Sequence, residues 1–364
     1  LCYIFLFFMA PAIANFYEHD ELIVLIRLLS LKIIAISFIV VPRTKLTVEM
    51  NFKLLALTNL VGIFIGGAVA ISMALYGFGA ISVVFQQLIS SIVTVILLLC
   101  IYRWKPVFSF SKKSFFELFD FGYKLLLSGV IDTIYNNIYT LIIGKKFSSG
   151  ELGLFNQGYT LSSVPAITMT TVIQKVTYPL LSSLQKKELE LDRVFLLVLK
   201  VSTLVVAPLM LIICTIAEPL VLIILGDSWI KSATYITILS MGMAIFPAHA
   251  INLNMLQVKG RSELFLKLEV IKKTIATIIL LVTLPFGIVP MCIGIVVSSY
   301  LSLIVNTYYT GKLTSISQIE QLRELVSIIS IAFISFLVSF YVTNGIDGEL
   351  VSIFLGATSY LVTY

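Results

Sequence analysis

Charge is scarce in this chain: only 12% of its 364 residues are Asp, Glu, Lys or Arg, about half the roughly 25% of a typical soluble domain. With 59% of residues hydrophobic, a soluble globule could not hide that much apolar surface. Histidine and cysteine are equally sparse. The two histidines, His19 in an acidic loop and His249 near Pro247, have no neighbours at metal-ligand spacing, so no metal is expected. Cys2, Cys100, Cys214 and Cys292 each sit in an apolar run with no CxxC pattern and read as small core hydrophobes. Catalytic motifs are missing as well. There is no GxxxxGK(S/T), no HExxH, no GxSxG and no pair of carboxylates with room around them, so neither an enzyme nor a bound cofactor is expected. A charged leader with a small-residue cleavage site is also absent from the first residues.

What is present is a succession of apolar runs, each long enough to cross a bilayer. They fall at about 1–15, 21–42, 53–76, 78–101, 121–144, 152–180, 194–217, 232–256, 266–285, 288–309, 324–343 and 350–364, twelve spans with the first and last clipped. The polar breaks alternate in charge. One set carries fourteen basic residues: Arg43, Lys45, Lys53, Arg103, Lys105, Lys112, Lys113, Lys186, Lys187, Arg193, Lys259, Arg261, Lys312 and Arg323. The other carries only Lys145, Lys146 and Lys231, beside the acidic Glu18, Asp20, Glu21, Asp347 and Glu349. By the positive-inside rule the first set is cytoplasmic. The net charge of +6 therefore reflects topology and does not point to nucleic acid.

The chain also repeats. Pro11 and Pro219, Phe78 and Phe286, Gly79 and Gly287, Ser90 and Ser298, and Ser91 and Ser299 are each 208 residues apart. Spans one to four then correspond to spans seven to ten, as two parallel repeats of six spans, with about two helices expected before Leu1. This divides the chain into 1–120, the remainder of an N-terminal lobe; 121–310, a C-terminal six-helix lobe; and 311–364, two trailing transmembrane helices.

Polar groups inside the spans mark candidate functional positions, because a charge facing lipid costs several kcal/mol (about 2.5–3.5 on insertion scales). In the span opening at Phe121, Ser128, Asp132, Tyr135, Asn136 and Tyr139 share one helical face, with Asp132 about 16 Å along the axis. The next span adds Thr160, Ser163, Thr171, Gln174 and Lys175. The intramembrane cations are Arg27, Lys32, Lys124, Lys175, Lys200, Lys272 and Lys273, against Asp132 and Glu269. Glu269 can neutralise Lys272 or Lys273 at helical spacing. For Lys124, Lys200, Lys272 and Lys273 two readings stand: snorkelling to the interface, or lining a cavity. Arg27 and Lys32 lie deeper and favour a cavity. Asp132 reads equally as an ion-pair residue or a substrate contact. Several uncompensated cations in a wet cavity suit an anion such as phosphate or pyrophosphate.

The stretches LLSGVIDTIYNNIYTLIIGKKFSSGELGLFNQG, IQKVTYPLLSSLQ, GDSWIKSATYITILS and KGRSELFLKLEVIKKTIATIILLVTLPFG resemble Wzx-type oligosaccharide flippases, particularly the WzxC-like branch. That resemblance implies the fold of the multidrug/oligosaccharidyl-lipid/polysaccharide exporters: an all-α polytopic membrane protein of two six-helix lobes plus two trailing helices. About twelve of fourteen helices would be present here. It implies movement of undecaprenyl-pyrophosphate-linked repeat units across the bacterial cytoplasmic (inner) membrane by alternating access, for surface exopolysaccharide or lipopolysaccharide synthesis. Membrane lipids and the polymerase machinery are the further partners. The motifs match at Asp132, Asn136, Asn137 and Lys145; many members of that family carry an acid where this chain has Tyr139. Together the two lines nominate Arg27, Lys32 and Lys175 for the pyrophosphate and the polar stripes of the two spans, with Asn136, Asn137 and Gln174, for sugar hydroxyls. Asp132, Lys272 and Lys273 complete the substrate-binding set, with Asp132 also a candidate for coupling transport to protons or a cation. A drug/cation antiporter of the same fold is the nearest alternative, and a membrane polysaccharide polymerase the alternative from another class.

Overall fold

A segment that leaves water must satisfy its own backbone N–H and C=O groups, and the α-helix does so within one segment. In the computed structural model, which describes residues 2–49, 51–102, 111–113, 115, 116, 119, 130, 133–343 and 348–364, all regular structure among the described residues is helical. Seven helical segments among them are long and apolar enough to span a membrane, one of them the run Lys231–Val258, which is broken into two helices. The protein is an all-α, multi-pass membrane protein.

The chain divides into two compact units, Leu1–Asn136 and Asn137–Tyr364. The boundary expected at 120/121 lies outside the described residues. The first unit contains α1 (Cys2–Tyr17), α2 (Glu21–Val48), α3 (Phe52–Leu75) and α4 (Ala80–Tyr102). In the second lie α5 (Ile138–Lys146), α6 (Ser149–Ser183), α7 (Glu188–Thr215), α8 (Ala217–Ile224), α9 (Lys231–Met243), α10 (Phe246–Val258), α11 (Ser262–Thr283), α12 (Ile288–Leu313), α13 (Gln318–Thr343) and α14 (Glu349–Thr363).

Local chemistry sets several of these ends. The side chain of Asn51 accepts from the Leu54 N–H at 3.2 Å and opens α3. Ser148 does the same for Glu151 at 3.2 Å and opens α6, each cap contributing about 1 kcal/mol. α2 runs on through Pro42 to Val48, so Arg43 and Lys45 ride on the helix and not in a loop. The expected span 121–144 is interrupted at Asn137, a turn residue in front of α5. The expected span 232–256 is two helices. Pro247 follows the break, where its missing N–H and its ring cannot continue the ladder.

The repeat is visible in the helix ends. α3 stops at Leu75 and α11 at Thr283, while α4 starts at Ala80 and α12 at Ile288, all at the same 208-residue offset. Gly79 and Gly287, immediately before the returning helices, both have positive φ, 55° and 100°, a conformation that a side chain disfavours. α2 is unbroken where α9–α10 is not, because Ile39 occupies the position corresponding to Pro247.

Packing differs between the units. In the first, α2 and α3 each pack on α4, and a small core forms around Ile39, Leu46 and Leu98. The second has a larger core, in which Phe195 and Leu199 of α7 meet Ile251 and Met255 of α10, Leu303 of α12 and Leu325 of α13. Large apolar side chains remain exposed along the spanning helices, Phe64 at 74% for example, as a lipid-facing surface requires.

Candidate functional site

In the first unit the two cations predicted on α2 are five residues apart, which turns them about 140° from one another and separates them by about 7.5 Å. They consequently meet different helices. Arg27 is half-buried against α1: its guanidinium lies 4.3 Å from the centroid of the Phe7 ring, and its Nε donates to the Phe7 carbonyl at 3.4 Å. Lys32, also half-buried, reaches α4, where its Nζ donates to Gln87 Oε1 at 3.0 Å. Among the described residues no carboxylate pairs with either cation. Gln87 can accept a hydrogen bond but cannot neutralise an ammonium. Lys32 thus lies within a spanning helix without a counter-charge, about 16 Å from Glu21.

The repeat supplies an internal control. At the 208-residue offset Lys32 corresponds to Ser240 on α9, and Gln87 to Ile295 on α12. α9 and α12 pack together as α2 and α4 do, with Ser240 buried and Ile295 against an apolar cluster. The fold builds this helix pair without a charge.

The other predicted cations have different surroundings. Lys272 forms an ion pair with Glu269, one turn earlier on α11. Lys200 bridges to Glu324 of α13 at 2.8 Å, an ion pair between α7 and α13. Lys273 lines a hollow of about 350 Å³ on α11 together with Thr274 and Thr277. Lys175 is exposed on α6. Asp132, Ser128 and Lys124 lie outside the described residues. Asn136 and Asn137 are exposed ahead of α5, which is tied to α6 by Thr140 donating to Asn156 Oδ1 at 3.1 Å.

The polar stripe expected on α6 straddles the edge of its packed face. Ser163 points inward and Thr160 and Thr171 outward, and Thr171 donates to the Ile167 carbonyl of its own helix. Gln174 also turns inward and donates to Asn254 Oδ1 on α10 at 3.1 Å. At 100° per residue, its neighbour Lys175 falls on the open side.

Asn254 belongs to a polar spine on α10 that was not predicted from sequence. His249 sits between Ser299 and Asn306 of α12, with Nδ1 3.1 Å from the Asn306 Nδ2 and Nε2 3.1 Å from Ser299 Oγ. One turn on, Asn252 Oδ1 accepts from the Thr310 hydroxyl, which also lies 3.2 Å from Gln321 Oε1 of α13. This spine joins α6, α10, α12 and α13 by side-chain hydrogen bonds, with Asn254 Nδ2 and Asn306 Oδ1 left buried without a partner. The signal was legible: His249 with Asn252 and Asn306 with Thr310 are polar pairs at helical spacing in apolar runs. Gln87, the partner of Lys32, was equally visible in the apolar run of α4. No group of three His, Cys, Asp or Glu is placed to hold a metal among the described residues.

With this geometry in hand, the similarities to known proteins are informative. Residues 1–234 match the family described as polysaccharide biosynthesis protein. The chain is 25% identical over 272 residues to the teichuronic acid biosynthesis protein TuaB of Bacillus subtilis, covering 72% of this chain and 55% of that one. It is 24% identical over 240 residues to the succinoglycan biosynthesis transport protein ExoT of Rhizobium meliloti, covering 66% and 49%. The lipopolysaccharide biosynthesis protein WzxC of Escherichia coli is 22% identical over 274 residues, covering 73% and 54%. The chain thus spans about half the length of the curated relatives it matches. Among solved structures, the lipid II flippase MurJ in an inward closed conformation superimposes with a TM-score of 0.78 at 16% identity, over 99% of this chain and 79% of that one.

Proposed function

The chain belongs to the polysaccharide biosynthesis protein family, and from that premise we propose that it is a flippase for lipid-linked oligosaccharides. It moves undecaprenyl-pyrophosphate-linked repeat units across the bacterial cytoplasmic membrane by alternating access, without chemistry of its own, and delivers them to the polymerase machinery that builds surface polysaccharide. The transport name of the Rhizobium meliloti relative and the fold shared with a lipid II flippase support this reading.

The observation that carries it is the uncompensated Lys32. An ammonium within a spanning helix is costly unless water or an anion meets it. Gln87 positions Lys32 and leaves its charge available, and the second repeat shows that the fold does not need that charge. A pyrophosphate would supply the missing anion through charge-assisted hydrogen bonds. Arg27 adds a second cation on the same helix, with only its Nε engaged by the Phe7 carbonyl. Lys175, exposed on α6, is a further candidate cation, and the exposed amides of Asn136 and Asn137 suit sugar hydroxyls. A carrier of cationic drugs would instead want uncompensated carboxylates; of the two predicted intramembrane acids, Glu269 is paired with Lys272, and Asp132 lies outside the described residues.

The test is deletion and restoration of the full-length gene while lipid-linked oligosaccharide is quantified on each face of the cytoplasmic membrane. Accumulation on the cytoplasmic face that clears on restoration is the expected result. Normal sidedness in the deletion strain would remove the flippase assignment.

A further inference from the structure

A groove of about 420 Å³ runs along one face of α7 in the second unit, far along the chain from Lys32, and nothing above accounts for it. Leu196, Leu197, Asp192 and Arg193 line it from α7, with Ser315 from the turn before α13 and Glu320 from the first turn of α13. Lys200 also lines it and is ion-paired with Glu324 at 2.8 Å.

Three charged groups in this groove are left over. Asp192 is 4% exposed; its Oδ2 accepts the Ser315 N–H at 2.6 Å, while its Oδ1 is buried with no hydrogen-bond partner. A buried carboxylate oxygen left unmatched is costly, and its position on the groove wall indicates that a donor belongs there. Arg193 is exposed, with no carboxylate within ion-pair distance among the described residues. Glu320 is likewise exposed and without an ion pair. The groove therefore offers one free cation and two carboxylates with free oxygens. It lies where the basic helix ends meet the apolar span, with Leu197 57% exposed beside it.

We propose that this groove holds the headgroup of a cytoplasmic-leaflet phospholipid of the ethanolamine class. The phosphate pairs with Arg193, the ammonium donates to Asp192 Oδ1 and Glu320, and an acyl chain follows Leu196 and Leu197 into the bilayer. Headgroup chemistry discriminates among lipids. A choline headgroup has no N–H to give the orphaned carboxylate oxygen, and a glycerol headgroup brings no cation to the two acids.

The test is native mass spectrometry of the intact protein in detergent with equimolar dioleoyl phosphatidylethanolamine, phosphatidylcholine and phosphatidylglycerol. The wild type should retain the ethanolamine lipid about tenfold over each of the others. Arg193→Gln should lower its retention about tenfold, and Glu320→Gln should remove the preference over choline while some binding persists. Both positions are exposed, so both variants should fold; Asp192 is left intact because it also holds the Ser315 N–H. Soluble glycerophosphoethanolamine should fail to displace the lipid. Equal retention of the three lipids, a preference for phosphatidylglycerol, displacement by the soluble headgroup, or wild-type behaviour in both variants would each overturn the proposal.

Discussion

The hairpin α3–α4 and its counterpart α11–α12, 208 residues further on, turn at the same place and meet by opposite means. In the first, the glycines are on the outgoing helix: a Cβ at Gly66 would stand 2.6 Å from the Gln86 carbonyl oxygen, and one at Gly62 would stand 2.7 Å from the Ser90 carbonyl oxygen of α4. This is a GxxxG face, which lets two backbones approach closely in a membrane. In the second hairpin the glycine is on the returning helix. A Cβ at Gly294 would stand 2.8 Å from the Ile279 Cγ2 of α11, and Gly294 occupies the position that Gln86 has in the first. The crossing demands a small residue but is indifferent to which helix supplies it. The neighbouring position behaves otherwise: Gln87, which holds Lys32, gives way to Ile295, and Lys32 itself to Ser240. Geometry is kept between the repeats, and charge is kept in only one.

The contrast can be broken at its tightest point. Gly66→Ala drives a methyl into backbone and should cost about 3 kcal/mol, whereas Gly294→Ala meets a side-chain methyl that can rotate away and should cost about 1 kcal/mol. Apparent melting temperatures of the two variants in detergent check this, and equal shifts would refute the distinction between backbone and side-chain obstacles. A smaller effect is expected where charge is already balanced. Glu269→Gln leaves the half-buried Lys272 without its partner and should lower stability by about 1–2 kcal/mol. Replacing both by methionine should restore most of that loss and leave export unchanged. Lost export in the double variant, once its stability is restored, would place Lys272 in the substrate path.

Sequence periodicity placed the helices of the first repeat closely, because each ends at a polar break or at a positive-φ glycine such as Gly79. It misplaced ends wherever proline acted unevenly: Pro42 sits inside α2, while Pro247 follows the break between α9 and α10. Intramembrane charges could be read from composition, but their partners could not. Lys32 and Gln87 are 55 residues apart, and Lys200 and Glu324 still further, so only the folded packing joins them. Helical phase also blurs at a boundary. Gln174 and Lys175 looked like neighbours on one polar face, yet one step of 100° sends Gln174 to Asn254 and leaves Lys175 outside. The α10 spine was overlooked for a different reason: His249 was judged by sequence neighbours, although its partners Ser299 and Asn306 come from α12.

The most direct test places Lys32→Gln and Ser240→Ala, the same position in the two repeats, in the full-length protein at equal membrane levels, and measures the sidedness of lipid-linked oligosaccharide. With Lys32→Gln the oligosaccharide should accumulate on the cytoplasmic face, with export reduced at least about tenfold, the loss of one charge-assisted hydrogen bond to pyrophosphate. Ser240→Ala should export normally. Normal sidedness in Lys32→Gln, or an equal defect in both variants, would contradict the assignment of the uncompensated charge to substrate.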